Sequence, residues 1–278
     1  MRRFVGIGAQ KCASSWLYDI LADHPAVSVS TVKEVNFFSY HYENGYKWYG
    51  RQFNSKPKAS LVGEISPSYF NECSVPARVK LLDASTLILV SLRDPVERAL
   101  SQHRHMVRIG RIDPRNASFE DALRDNPSYL EQGMYARHMA RWYENFPKQQ
   151  IKVVLMQDIK MDPDGVAGDV YSYLDIDPNH TSSSLHQKSN ESYAVKYRTF
   201  GNTVETIRSA ARSVGLGAVW SLAGNVGLQK IYRKINRIPS NDIIPPVLPE
   251  TIAYLKNMYR QDTLRLQDMV ERDLCCWL

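Results

Sequence analysis

Phe4-Val5-Gly6-Ile7-Gly8-Ala9-Gln10-Lys11-Cys12-Ala13-Ser14-Ser15-Trp16-Leu17 is the stretch that sets the fold. Its first six residues are apolar or glycine, the pattern of a buried strand. A short loop holding Lys11 follows, then two hydroxyl residues, after which Trp16, Leu17, Ile20 and Leu21 recur at helical spacing. A strand, a tight lysine-bearing loop and a helix N-terminus make an anion site: backbone N–H groups converge, the helix dipole presents its positive end, and the lysine adds a full charge. The two common glycine-rich phosphate loops are absent. Counting from Gly6, Lys11 stands where either motif would need a glycine. From this segment alone, an anion loop and a plain helix cap with a solvated Lys11 are equally open.

The same alternation continues outward. Candidate strands at Phe4–Gly8, Val27–Ser30, Ser60–Glu64, Thr86–Ser91 and Ile151–Met156 alternate with helical patterns at Ser14–His24, Ser74–Leu82, Pro95–Ile109 and Tyr135–Phe146. That order predicts βαβ units, a mainly parallel sheet between helical layers, and strand C-terminal ends gathered on one ligand-binding edge. Ile252, Leu255, Met258, Tyr259, Leu264, Leu266 and Met269 predict one or two closing helices over 248–278.

At 278 residues the chain suits one large α/β domain, with 44% hydrophobic and 23% charged residues and no repeat or low-complexity tract. Met1-Arg2-Arg3 leads into too short an apolar run for a signal core, and no segment approaches a membrane span, so a cytoplasmic protein is expected. Cys12, Cys73, Cys275 and Cys276 lack zinc spacing and are expected to be reduced thiols. Most of the net charge of +6 lies between Thr203 and Ser240, where six basic residues face only Glu205. Gly215, Gly217, Gly224 and Gly227 break this stretch, so 203–245 reads as a basic helical insertion near the C-terminus. An acidic saccharide, an anionic membrane surface, an apolar molecule against Trp220 and Leu222, or plain solvent are its open partners.

Lys11-Cys12-Ala13-Ser14-Ser15-Trp16 resembles the 5′-phosphosulfate loop, Lys-x-Gly-Thr-(Thr/Ser)-Trp, of the sulfotransferases that use 3′-phosphoadenosine 5′-phosphosulfate (PAPS). Ser for Thr keeps the hydroxyl, whereas Ala13 for Gly predicts a loop without positive φ there. Leu87-Ile88-Leu89-Val90-Ser91-Leu92-Arg93-Asp94-Pro95, with Ser101 eight positions after Arg93, is similar to the family's 3′-phosphate motif. A guanidinium suits that task because its planar fork donates two parallel hydrogen bonds. Lys33-Glu34-Val35-Asn36-Phe37-Phe38 looks like the segment of the heparan sulfate branch and its bacterial relatives that carries the base toward the acceptor. Val62-Gly63-Glu64-Ile65-Ser66-Pro67-Ser68-Tyr69-Phe70 and Arg272-Asp273-Leu274 with Trp277 extend the likeness, which is weakest from Thr203 to Pro245.

The resemblance implies a three-layer, P-loop-like α/β fold over 1–278 and sulfuryl transfer from PAPS, without a metal or nucleic acid, to a hydroxyl or amine of a carbohydrate or small molecule. It gives Glu34 the role of base, with burial against Phe37 and Phe38 expected to raise its pKa. Lys11 would stabilise the leaving phosphate. Lys11, Ala13, Ser14, Ser15, Trp16, Arg93, Ser101, Tyr193 and Arg198 would hold the nucleotide, Trp16 by stacking on adenine. Ile65 stands where the heparan sulfate enzymes have a lysine, which leaves Lys33 or His41 to supply that charge. His103 and His105 stay open as bases, because the cytosolic branch uses a histidine. A P-loop nucleotide kinase, with Asp94 as its metal-binding acid, and a non-catalytic nucleotide- or glycan-binding module are the alternative functions.

Overall fold

Alternation of side chains through buried strands builds the sheet. The computed structural model describes residues 1–54, 56–186 and 244–278, together with the backbone of Tyr193–Val195 and Arg237–Pro239. Two compact units emerge, one of Met1–Ala99, Pro127–Asn190 and Glu250–Leu278, the other of Leu100–Asn126 and Glu191–Pro249.

In the first unit the strands are β1 (Arg2–Gly8), β2 (Val27–Val29), β3 (Leu61–Ile65), β4 (Leu87–Leu92) and β5 (Ile151–Leu155), in the order β2-β3-β1-β4-β5. All four pairings are parallel, as the alternation of elements predicts. Val5 and Ile7 of β1 join Ile88, Val90 and Leu92 of β4 in one core, while Phe4, Leu61, Ile65 and Leu89 enter the core on the opposite face. The helices α1 (Ser14–Asp23), α2 (Phe37–Tyr40), α3 (Gly45–Gly50), α4 (Val75–Leu82), α5 (Pro95–Arg108), α6 (Phe119–Asp125), α7 (Ser128–Glu131), α8 (Tyr135–Asn145), α9 (Met156–Met161) and α10 (Pro163–Tyr173) follow in chain order. On one face pack Val75 and Val79 of α4, Tyr135, Met139 and Trp142 of α8 and Leu266 of the C-terminal helix Pro249–Val270. The other face takes Leu17, Ile20 and Leu21 of α1 with Ala167, Val170 and Tyr171 of α10. The unit therefore has the expected three layers, and each such fully buried aliphatic or aromatic side chain stabilises it by about 1.5–3 kcal/mol.

One helix rather than two closes the chain, followed by a single 3₁₀ turn at Cys275–Trp277. Arg272 reaches Asp158 of α9 at 2.7 Å and the Trp277 indole donates to Gln157 at 2.7 Å. The C-terminal signature is thus a clasp on α9.

The chain runs from β1 to β2 on one side of the sheet and reaches β4 on the other. Loops leaving β1 and β4 consequently diverge at a topological switch point, where open parallel sheets bind ligands. Ala9 N–H donates to Ser91 O at 2.7 Å, so the two strands stay joined up to the start of those loops.

In the second unit, Ser118 caps α6 by accepting from the Asp121 amide. The backbones of Tyr193–Val195 and Arg237–Pro239 pair antiparallel, with Tyr193 opposite Pro239. Arg198, Trp220, Leu222 and the rest of the basic insertion up to 243, those two strands excepted, lie outside the described residues.

Candidate functional site

The β1–α1 loop turns sharply because two of its L-residues are left-handed: Lys11 has φ 66° and Ala13 has φ 70°. The sequence-based expectation that Ala13 avoids positive φ is therefore wrong. The turn itself demands that conformation, and the alanine Cβ strains it by about 1–2 kcal/mol. Ala13 is the N-cap of α1, no side chain caps that end, and the first turn holds no acidic residue. The first-turn N–H groups and the positive dipole end can therefore serve an anion.

Beneath the loop, the Cys12 thiol is fully buried, 3.6 Å from the Tyr135 hydroxyl. Burial pushes its pKa up, while Tyr135, Arg98 and Arg93 pull the other way. The thiol also donates to Gln10 O at 3.4 Å, within its own loop. The Arg93 guanidinium meets Glu97 at 2.6 Å with its side chain 14% exposed. Asp94 accepts from the Val96 and Glu97 amides at 2.8 and 3.0 Å, so it is the cap of α5. That duty occupies the acid a kinase would place on a metal. Ser101 lies in α5, in the part assigned to the second unit.

Beyond β2, Lys33 Nζ donates to Ser15 Oγ at 2.8 Å and lies 3.7 Å from the Glu34 carboxylate. One ammonium thus links the head of α1 to the expected base. Glu34 keeps 38% of its side chain exposed, whereas Phe37 and Phe38 are wholly buried in the core. Glu34 is thus exposed and not buried against the phenylalanine pair, contrary to the expectation, and Lys33 is its charged neighbour. Ile65 is 1% exposed and packs on Gly6, where a Cβ would come within 2.5 Å of it. Its side chain fills space between strands instead of reaching toward a ligand. His41 is exposed, its ring 5.6 Å from that of Trp48.

Trp16 is 6% exposed and its indole N–H donates to Leu185 O at 3.0 Å. Core packing engages most of its surface. His103 is buried, with Nε2 2.9 Å from Ala117 O and its ring against Phe119. Burial lowers its pKa. His105 Nδ1 lies 2.8 Å from an Arg108 nitrogen. All four cysteines are free, Cys12 alone buried. No helix among the described residues is long and apolar enough to cross a membrane.

Sequence reasoning assigned no role to Glu64, a wholly buried carboxylate at the end of β3. It accepts from Ser66 Oγ at 2.6 Å and from the Tyr69 hydroxyl at 2.7 Å. Burial raises its pKa to about 7, against the pull of the Ser66 and Tyr69 hydrogen bonds and of the nearby Tyr49 hydroxyl and Val35 amide. The signal was present in sequence as an acid within an apolar strand, with hydroxyls two and five positions on.

A lysine-bearing loop and an arginine thus stand beside one switch point of a parallel α/β sheet. The chain belongs to the sulfotransferase domain family, whose profile matches residues 2–215. It is similar to human heparan sulfate glucosamine 3-O-sulfotransferase 3B1, with 29% identity over 179 residues, covering 61% of this chain and 45% of that protein. Human bifunctional heparan sulfate N-deacetylase/N-sulfotransferase 3 is 30% identical over 202 residues, covering 65% of this chain and 23% of that protein. The chain thus spans less than half the length of these relatives. A crystal structure of a sulfotransferase from Alicyclobacillus acidocaldarius shares the fold, with a TM-score of 0.72 and 22% identity over 100% of this chain and 98% of that one. The kinase and the non-catalytic module are not favoured by these likenesses.

Proposed function

We propose that this chain transfers a sulfuryl group from PAPS to a hydroxyl or amine of a carbohydrate or small-molecule acceptor by in-line displacement. The α1 amides with Ser14, Ser15 and Lys11 would hold the phosphosulfate end of the donor, and Arg93 with Ser101 the 3′-phosphate. Glu34 takes the acceptor proton as the new bond to sulfur forms. The bond from sulfur to the 5′-phosphate oxygen breaks, and PAP leaves with that oxygen's charge neutralised by Lys11. Lys33 supplies the positive charge that Ile65 does not. Relatives named for heparan sulfate support a saccharide acceptor.

The observation that carries this reading is the Lys33 ammonium, 2.8 Å from Ser15 and 3.7 Å from Glu34, which joins the anion loop to the base. The burial of His103 against Ala117 and Phe119 supports the carboxylate over the histidine. Radiolabelled PAPS offered to pools of desulfated heparan sulfate, other glycans and small phenols identifies the acceptor class. On the acceptor found, Glu34→Gln should lower turnover by about a hundredfold or more and leave PAP affinity intact. Retained turnover in that variant, with activity lost in His103→Ala, would replace the base.

A further inference from the structure

We propose that Glu64 is a positioning residue for sulfuryl transfer: through Ser66 and Tyr69 it clasps the two backbone amides at the head of α2 and so sets the corner from which Lys33 and Glu34 project. Each carboxylate oxygen holds one hydroxyl, and each hydroxyl holds one amide. Ser66 Oγ donates to Glu64 Oε2 at 2.6 Å and accepts from Asn36 N–H at 2.9 Å. The Tyr69 hydroxyl donates to Glu64 Oε1 at 2.7 Å and accepts from Phe38 N–H at 3.2 Å. Both hydroxyls have their only hydrogen committed to the carboxylate, so their lone pairs are turned to the backbone.

The corner needs such a hold. Asn36 is left-handed, with φ 52°, a conformation that asparagine tolerates better than most residues but still at a cost. Its Oδ1 accepts from Ser68 Oγ at 2.6 Å and its Nδ2 donates to Glu34 O at 3.2 Å. A continuous hydrogen-bonded line therefore runs from Glu64 through Ser66 and Asn36 to the backbone of Glu34. Glu64 itself is wholly buried, so its part is to orient the corner.

The clasp is sensitive to protonation. A protonated Glu64 becomes a donor on one side, and the hydroxyl there must turn its hydrogen elsewhere. The groups facing it are the Ser66 and Tyr69 hydroxyls after β3, the Tyr49 hydroxyl of α3 and the Val35 amide, with Arg3 of β1 acting on Tyr49. Their balance with burial leaves its pKa at about 7.

The proposal rests on the Proposed function only for turnover, and hydrogen exchange tests the clasp without it. In the full chain, Glu64→Gln and Ser66→Ala should each speed exchange at the Asn36 and Phe38 amides by about tenfold or more, with Ser66→Thr restoring protection. With desulfated heparan sulfate as acceptor and radiolabelled PAPS as donor, the same variants should lose about tenfold or more in kcat while calorimetric PAP affinity holds within about twofold. The ionisation near pH 7 in the wild-type kcat profile should be missing from Glu64→Gln. If Glu64→Gln fails to fold, Ser66→Ala and Tyr69→Phe carry the test. Wild-type exchange at both amides in these variants overturns the clasp, whatever Glu34→Gln does. Lost protection in Glu64→Gln with retained turnover in Glu34→Gln sinks the base assignment and leaves the clasp standing.

Discussion

The Gly8–Ser15 loop and the Val32–Asn36 corner leave the same sheet edge, the first after β1 and the second after β2, and they are held by different physics. The first is shaped by backbone: two left-handed residues, the head of α1 and a main-chain bond from Ala9 to Ser91 of β4. The second is shaped by side chains, with hydroxyls reaching from beyond β3 to grip amides thirty residues earlier in the chain. A loop made by backbone keeps its form while its charges change, whereas a corner tied to a buried carboxylate depends on that group's proton. The donor side of the site should therefore be indifferent to mild pH change and the acceptor side sensitive to it.

The contrast can be broken at several points. Lys11→Ala should lower kcat by about 10²–10³ and PAP affinity far less, because its charge matters most as the leaving oxygen becomes negative. Equal losses in single-turnover rate and calorimetric affinity would make it a ground-state anchor. Glu64 binds its proton more tightly in the folded chain, with a pKa of about 7, than at its ordinary value of 4.5. The folded state thus carries the extra proton between those limits, and stability should fall by about 3 kcal/mol as pH rises through that window, then level off. Denaturant titrations at pH 4.5, 6 and 8 check this, and Glu64→Gln should flatten that decline. Arg93→Ala should weaken PAP binding by about 1.5–3 kcal/mol in calorimetry, with little dependence on pH between about 7 and 8.5, where both phosphates of PAP are fully ionised. A strong dependence there would erase the difference between the two sides. The smallest effect is expected of Ala13→Gly, which removes about 1–2 kcal/mol of left-handed strain and adds about 0.5–1 kcal/mol of unfolded-chain entropy. A net gain of up to about 1.5 kcal/mol in denaturant unfolding should result, and a loss would show that the Ala13 turn is not strained.

Strands and long helices were legible in sequence because their signals are local. The five strands of the parallel sheet fall where alternation and β-branched runs place them, with boundaries shifted by one or two residues, whereas the pair Tyr193–Val195 and Arg237–Pro239 was not foreseen, the second lying in the stretch read as helical; α1, α4, α5 and α8 begin within one residue of their predicted starts. Missed were α2 and α3, where aromatic residues crowd Phe37–Tyr49 without a clean 3.6-residue period, and also α6, α7, α9 and α10, although α10 is as long as α8. The β1–α1 loop was legible as lysine, hydroxyls and helix head, but the left-handed Ala13 was not, since alanine rarely adopts it. Lys33 was named as a charge donor, yet its bond to Ser15 spans eighteen residues and appears only once β2 lies in the sheet. The role of Glu64 was hidden for the same reason: its acid and hydroxyls are neighbours in sequence, but the amides they hold are not.

Cys12 gives the donor loop a chemical stopwatch. Cys73, Cys275 and Cys276 lie open to reagent, while the Cys12 thiol sits wholly buried under the loop with its pKa raised. Alkylation should therefore run in two phases, an immediate one at the exposed thiols and a slow one that waits for the loop to lift. The rate of the second phase, read by mass spectrometry, measures how often the loop lifts, and a bound anion that pins the loop should slow it.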